Sequence, residues 1–168
     1  MNLTRLAVAL LLLSRPVLAS DFAVKQKPFW GLANASGNAV FIQIGDKEIL
    51  FPVPGNPTQI QHSSDNRLIA VNFDAVSNYR SFGIILNVDR QIIEYPDLGS
   101  FVGPLLIANK LLRDANFKTE DFTVDSIEGL KLNCHFRGLR PGVDNPEECK
   151  FSLAVDAHES HFTVKLVK

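Results

Sequence analysis

Hydrophobic and polar residues alternate most clearly near the end of the chain, between Leu130 and Lys168. Successive side chains of a strand point to opposite faces of a sheet, so each alternating run predicts a half-buried strand. The connections between the runs are polar or contain glycine and proline, which predicts a three-stranded antiparallel unit. The apolar positions are Leu130, Leu132, Cys134 and Phe136 in the first run, Cys149, Phe151, Leu153 and Val155 in the second, and Phe162, Val164 and Leu166 in the third.

A second antiparallel element is predicted earlier in the chain. Residues Ala39 to Ile44 alternate, Gly45-Asp46 supplies a turn, and Ile49 to Phe51 returns, which together indicate a β-hairpin. Short continuous apolar runs are typical of strands buried on both faces. There are two such runs, Leu68 to Phe73 and Phe82 to Val88, and Phe122 to Val124 is a further short strand candidate.

Two segments are interpreted as irregular connections. Ser20 to Asn38 is a lead-in that contains Pro28, and Pro52 to Asn66 carries further prolines followed by polar residues. Pro28 disfavours helix at Lys27, and Pro52, Pro54 and Pro57 end the second strand of the hairpin and force an extended connector.

The clearest predicted helix runs from Ser100 to Asn116. Ser100 is expected to cap it, and Pro104 is expected in the first turn, where a missing N–H has little effect. The expected apolar stripe consists of Leu105, Ala108, Leu111, Leu112 and Ala115. The predicted fold class is therefore α+β, a predominantly antiparallel sheet with one main α-helix (about 100–116) packed on it.

The first 19 residues have the pattern of a secretory signal peptide. Arg5 precedes an apolar run from Leu6 to Leu13, and Val17 and Ala19 have the small-residue spacing of a cleavage site. Spanning a bilayer takes about 20 apolar residues, so the run is too short to be an anchor. We expect residues 20–168 to form one globular domain, exported to a bacterial periplasm or outside the cell.

The charge balance argues against nucleic acid as a partner. The full chain has 17 basic and 18 acidic residues. Removal of the leader would take away Arg5 and Arg15 and leave a net charge of about −3. Neutralising phosphates requires clustered Lys and Arg, and the sequence has no basic run. It also has no glycine-rich phosphate cradle and no other cofactor motif.

The two cysteines, Cys134 and Cys149, fall on the predicted inward face at opposite ends of a long loop. In an oxidising compartment they are expected to form a disulfide, worth roughly 3 kcal/mol for a loop of about 15 residues. The alternative is two buried free thiols.

The loop between these cysteines is the predicted recognition site. A loop held at both ends loses less entropy on binding, and charged side chains on it supply specificity. The candidate binding residues are Arg137, Arg140, Asp144, Glu147 and Glu148. The alternative is a surface connector whose charges only keep it soluble.

Metal and catalytic chemistry have weaker signals. His158 and His161 could share a metal ion with Glu159, although a solvated hairpin tip explains the same residues. Residues 62–65 (His-Ser-Ser-Asp) contain the residue types of a catalytic triad, but a triad is assembled in space from separate elements.

The leading hypothesis is a non-enzymatic binding protein that recognises a protein partner in the cell envelope or outside the cell, such as an inhibitor or an immunity-type protein. One alternative is a small exported hydrolase, with His62 or His135 beside a carboxylate and a hydroxyl. Another is a carrier of a small apolar ligand, which requires a cavity between helix and sheet. Asn34 begins an N-x-S glycosylation motif.

Overall fold

The computed structural model describes residues 22–30, 36–76, 78–88, 91–158 and 161–167. The predicted leader and Asn34 lie outside these residues. The described residues form eleven strands and one helix. These are β1 (Phe22–Trp30), β2 (Ser36–Ile44), β3 (Lys47–Phe51), β4 (Asn56–His62), β5 (Leu68–Val76), β6 (Tyr79–Val88), β7 (Gln91–Tyr95), α1 (Gly99–Ala108), β8 (Thr119–Glu128), β9 (Lys131–Leu139), β10 (Glu147–His158) and β11 (His161–Val167).

The strands form two sheets. The smaller is antiparallel with the order β1-β2-β3, and the larger has the order β11-β10-β9-β8-β6-β5-β4. One edge of β6 is shared, because β7 pairs antiparallel with residues 84–88 and β8 pairs parallel with residues 79–80. The prediction of a mostly antiparallel β-structure with one helix is confirmed for the described residues. The C-terminal strands β9 to β11 pair antiparallel, but they continue through β8 into a mixed sheet instead of forming a separate unit.

The core lies on both faces of β5 and β6. Leu68 and Ala70 pack on one face with α1 and strands β8 to β10, whereas Ile69 and Val71 pack on the other face under the small sheet. Burial on both faces explains why β5 and the end of β6 have continuous apolar runs instead of alternation.

The helix is shorter than predicted, and its buried residues differ. It ends at Ala108, and Lys110 adopts a left-handed φ of 60° that turns the chain. Val102 and Leu106 are its buried large side chains, spaced four apart. Of the predicted stripe, Leu111 is 41% exposed, and Leu112 is buried from the irregular segment after the helix.

The predicted helix start is also corrected. The Oγ of Ser81 on β6 accepts the Gly99 N–H at 3.0 Å and donates to Asp97 Oδ1 at 2.5 Å. The Asp97 carboxylate accepts the N–H of Ser100 at 3.4 Å. Side chains from outside the helix therefore satisfy its first donors, in place of Ser100. Pro104 lies inside the helix and not in its first turn.

Strands β1, β4 and β7 were not predicted from the sequence. Strand β1 pairs only with β2 and contains Pro28, while β4 pairs only with β5 and has a register shift next to Pro57. Edge strands and bulges are the places where a sheet tolerates proline, because an N–H there need not join the ladder.

The predicted disulfide is wrong, because Cys134 and Cys149 are free in the structure. Both are on the inward face of adjacent strands, but Cys134 pairs with Phe151 and Cys149 pairs with Phe136. The cysteines are thus diagonal neighbours, a relation that places Cα atoms about 7–8 Å apart. A disulfide usually needs a Cα separation below about 6.8 Å.

The surroundings of both thiols disfavour the ionised thiolate form. Burial raises the pKa of Cys134 far above its ordinary value, and the nearby Asp125 carboxylate raises it further. Burial and Glu147 raise the pKa of Cys149 in the same direction. Since the thiolate is the nucleophile, each thiol is a poor one at neutral pH.

This environment predicts the alkylation behaviour of the two thiols. Without reductant, the unfolded protein should react with iodoacetamide at both cysteines. In the native protein, Cys149 should react at least about tenfold faster than Cys134, because Cys134 is more deeply buried. Mass spectrometry of digested protein measures both rates, with Cys149→Ser as the control for assigning the slow site. An unfolded protein that reacts only after reduction would contradict the free-thiol assignment.

Candidate functional site

A polar cleft of about 660 Å³ opens where β6 and β8 pair for only two residues each. Tyr79 and Arg80 of β6 lie beside Glu120 and Asp121 of β8 in this short parallel pairing. The cleft lies at this paired end, beside the β5–β6 turn and the β9–β10 loop. The residues that line the polar cleft are Asn56, Asp74, Ala75, Asn78, Tyr79, Arg80, Thr119, Asp121, Arg137, Leu139, Asp144 and Pro146.

Arg80 lies between two carboxylates of the cleft. Its Nε is 2.8 Å from Asp74 Oδ1 and 3.9 Å from Asp121 Oδ1. The Arg80 side chain is 58% exposed, so solvent screens these pairs and they contribute little to stability. The guanidinium therefore remains available to a ligand that offers a better-placed acceptor.

Arg137 provides the second cationic group of the cleft. Its Nε is 3.3 Å from Glu148 Oε1, and the other oxygen of Glu148 is 3.8 Å from His135 Nε2. Asp144, on the loop between β9 and β10, is an exposed carboxylate of the lining. The cleft is thus lined by three carboxylates and two guanidinium groups, a mixed set suited to polar recognition.

The loop that carries Asp144 is braced by Arg140. The Arg140 guanidinium lies 4.3 Å from the centre of the Phe117 ring and donates to Glu147 Oε2 at 3.0 and 2.8 Å. It also donates to Asp114, whose pKa is lowered by the Asn116 backbone N–H and by Arg140. Only 21% of the Arg140 side chain is exposed, which indicates a structural group.

Phe117 in turn anchors this brace on the core. Its ring packs edge-on against Phe136 with centroids 5.0 Å apart. A Cβ at Gly138 would lie 2.5 Å from the Phe117 ring, so only glycine lets the ring approach the strand this closely. The loop is therefore held by a stacked guanidinium and two carboxylates, which takes the place of the predicted disulfide.

The five predicted binding residues have different positions. Arg137 and Asp144 line the polar cleft, whereas Arg140 and Glu147 brace the loop, and Glu148 pairs with Arg137. Sequence reasoning missed Asp74, Arg80 and Asp121. Asp74 and Arg80 flank a tight turn between two apolar strands, which was an available signal, but the chain gives no local sign that Asp121 joins them.

The metal and hydrolase alternatives gain no support. His158 and His161 are backbone partners in the β10–β11 hairpin, but their side chains lie outside what the structure describes. Within the described ranges, no three His, Cys, Asp or Glu side chains are placed to hold one metal ion. Neither His62 nor His135 is among the residues that line the polar cleft.

A second, apolar cleft of about 520 Å³ lies between β7, the start of α1 and β11. Strand β7 pairs with β6 and β11 pairs with β10, and the two strands approach each other through side chains. The residues that line the apolar cleft are Ile93, Tyr95, Leu98, Phe101, Phe162, Thr163 and Val164.

Comparison with known proteins found nothing similar, because no protein-family model, no curated protein and no solved structure matches the chain. Among the described residues, no helix has the length and apolar character that crossing a membrane requires. The functional assignment therefore depends on the geometry of this molecule.

Proposed function

We propose that this protein is a non-enzymatic binding protein that recognises a protein partner through the polar cleft and the adjacent loop. The supporting observation is the convergence of Arg80, Arg137, Asp74, Asp121 and Asp144 in one cleft. These residues come from β5, β6, β8, β9 and the β9–β10 loop, so folding is required to bring them together.

The charge pattern favours a polar segment of a partner over a simple ion. Arginines beside carboxylates offer both donors and acceptors, and matching charges steer encounter and reject wrong partners. The cleft accepts a projecting polar segment, and the exposed loop around Asp144 extends the contact surface. The braced loop loses little entropy on binding, which favours affinity.

An exported location is part of the proposal, and a bacterial periplasm or the extracellular space is the expected compartment. It rests on the leader pattern at residues 1–19. The free cysteines give no support for an oxidising compartment.

The proposal predicts that Arg137→Glu weakens binding to the partner at least about tenfold, because it places a third charge of the same sign beside Glu148 and Asp144. The measurement is recovery of crosslinked envelope proteins on immobilised protein, quantified by mass spectrometry. Higher salt should weaken the wild-type interaction, since exposed charges are screened within about 10 Å at 0.1 M.

The matched control is Arg67→Glu, because Arg67 is an exposed arginine that lines neither cleft. A partner that is recovered equally with both variants does not bind through the polar cleft. Arg140→Ala offers a further distinction, since it should weaken binding by loosening the loop and also increase cleavage of residues 140–146 by protease.

A further inference from the structure

The apolar cleft is distinct from the polar cleft in position and in chemistry. Its walls are Ile93 and Tyr95 of β7, Leu98 and Phe101 at the start of α1, and Phe162 and Val164 of β11. Among the described residues, none of the side chains that line it is charged. Small-molecule sites have the same character, with volumes of about 300–1,000 Å³ and predominantly aliphatic and aromatic walls.

The walls of this cleft are apolar surfaces left open to solvent. Phe101 is 46% exposed and Tyr95 is 37% exposed, although both belong to elements that otherwise pack on the core. Phe162 and Val164 point inward and remain only partly buried. A ligand that covers these side chains removes apolar area from water, which is favourable at about 25 cal/mol per Å².

The rim of the cleft is where polar groups are found. Thr163 is exposed, and Tyr95 carries a hydroxyl on an otherwise apolar ring. A ligand with one polar end can therefore leave that end at the rim while its apolar part lies inside. Neither group carries charge, so an uncharged polar end fits best.

The size of the cleft argues against a protein occupant. Stable protein interfaces take about 20–30 residues from each side, whereas the lining of this cleft that the structure describes consists of seven residues. The Tyr95 and Phe162 rings also meet edge to face, with centroids 5.7 Å apart, and so bridge β7 and β11. An added β-strand would have to separate these rings to reach the strand edges.

We propose that the apolar cleft binds the linear alkyl chain of a free, uncharged amphiphile such as a medium-chain alcohol. The chain lies along the Phe101, Phe162 and Val164 side chains, and the hydroxyl stays at the rim near Tyr95. This site is independent of the protein-partner proposal, since it shares no lining residue with the polar cleft.

The test is displacement of the apolar fluorescent dye N-phenylnaphthylamine from the full folded chain by hexanol, octanol and decanol. Affinity should rise about fourfold for each added methylene, as expected for full burial of the chain. Decanoate should bind no better than decanol, because no cation is found among the described residues that line the cleft. Equal affinity along the series, or preference for decanoate, would overturn the proposal.

Two variants locate the site. Phe101→Gln should weaken decanol binding at least about tenfold, and the matched change Leu111→Gln should leave it within about twofold. Both residues are exposed apolar side chains of the same region, 46% and 41% exposed, but only Phe101 lines the cleft. Equal losses in the two variants would place binding elsewhere.

Val164→Trp gives a second way to decide, because Val164 lines the cleft from the inward face of β11 and an indole there should occupy the cleft and exclude decanol. Circular dichroism and the thermal midpoint check that each variant folds. If wild type binds vesicles of neutral phospholipid but no free alcohol, the free-amphiphile proposal is wrong and a membrane surface is the occupant.

Discussion

Replacing Asn72 by leucine is expected to destabilise the protein by roughly 4 kcal/mol, because it leaves two buried backbone groups without partners. Asn72 Nδ2 donates to the carbonyl oxygen of Val124 at 3.0 Å, and its Oδ1 accepts the Val124 N–H at 2.9 Å. Asn72 is 4% exposed and Val124 is 1% exposed, so the groups that form these bonds are buried in the folded state.

The position of this amide explains the size of the effect. Strand β8 pairs with β6 for only two residues and has a register shift just after Val124. The Asn72 side chain on β5 supplies the hydrogen bonds that a neighbouring strand would otherwise give. An unpaired buried polar group costs about 1–3 kcal/mol, and two such groups are created here.

Urea unfolding followed by circular dichroism measures the free energy of unfolding of the Asn72 variant. The control is Asn133→Leu, because the Asn133 side chain bonds to the side chains of Ser126, Glu128 and Ser152, where solvent can substitute. We expect that control to lose less than about 1 kcal/mol. Similar losses at the two positions would show that the Val124 backbone does not depend on Asn72.

The second large effect is expected for Gly83→Ala, which should destabilise the protein by about 3 kcal/mol. A Cβ at Gly83 would lie 2.6 Å from the carbonyl oxygen of Pro96 and 2.9 Å from that of Tyr95. It would also lie 2.9 Å from the Phe51 ring. Backbone atoms cannot move aside as a flexible side chain can, so the chain that leads from β7 to α1 would have to shift.

The matched control for this change is Gly103→Ala in α1. A Cβ there would meet Phe122 at 3.6 Å, an ordinary contact. Alanine also favours a helix by about 1 kcal/mol over glycine, so the control should be neutral or stabilising. If the Gly83 variant is as stable as the Gly103 variant, the close approach of the Tyr95 and Pro96 backbone to β6 is not required for stability.

Gly83→Ala should also affect the apolar cleft. Tyr95 precedes the crossing and Leu98 follows it, and the Leu98 N–H donates to the Phe82 carbonyl at 2.7 Å. A shift of this segment moves two walls of the cleft together. The polar cleft lies at the other end of β6, around Tyr79 and Arg80, and should keep its shape.

Two of the five charged residues of the polar cleft could be predicted from the sequence. The segment from Arg137 to Glu148 was recognised because its composition interrupts two alternating strands, and Arg137 on β9 and Asp144 in the β9–β10 loop do line the cleft. Asp74, Arg80 and Asp121 were not predicted. They come together because β6 pairs with β8, and these two strands are about 40 residues apart in the chain.

The sequence by itself determined the strands that have a clear period, since alternation in β9 to β11 and continuous apolar runs in β5 and β6 record which faces are buried. Tertiary structure alone decided the rest. Strands β1 and β4 depend on one neighbour that tolerates their prolines, and α1 ends where Lys110 turns the chain toward the core. A register offset of two residues keeps Cys134 and Cys149 unbonded. The physical reason is that a local pattern reports the burial of a side chain, whereas register, crossing and closure depend on residues that are distant in sequence.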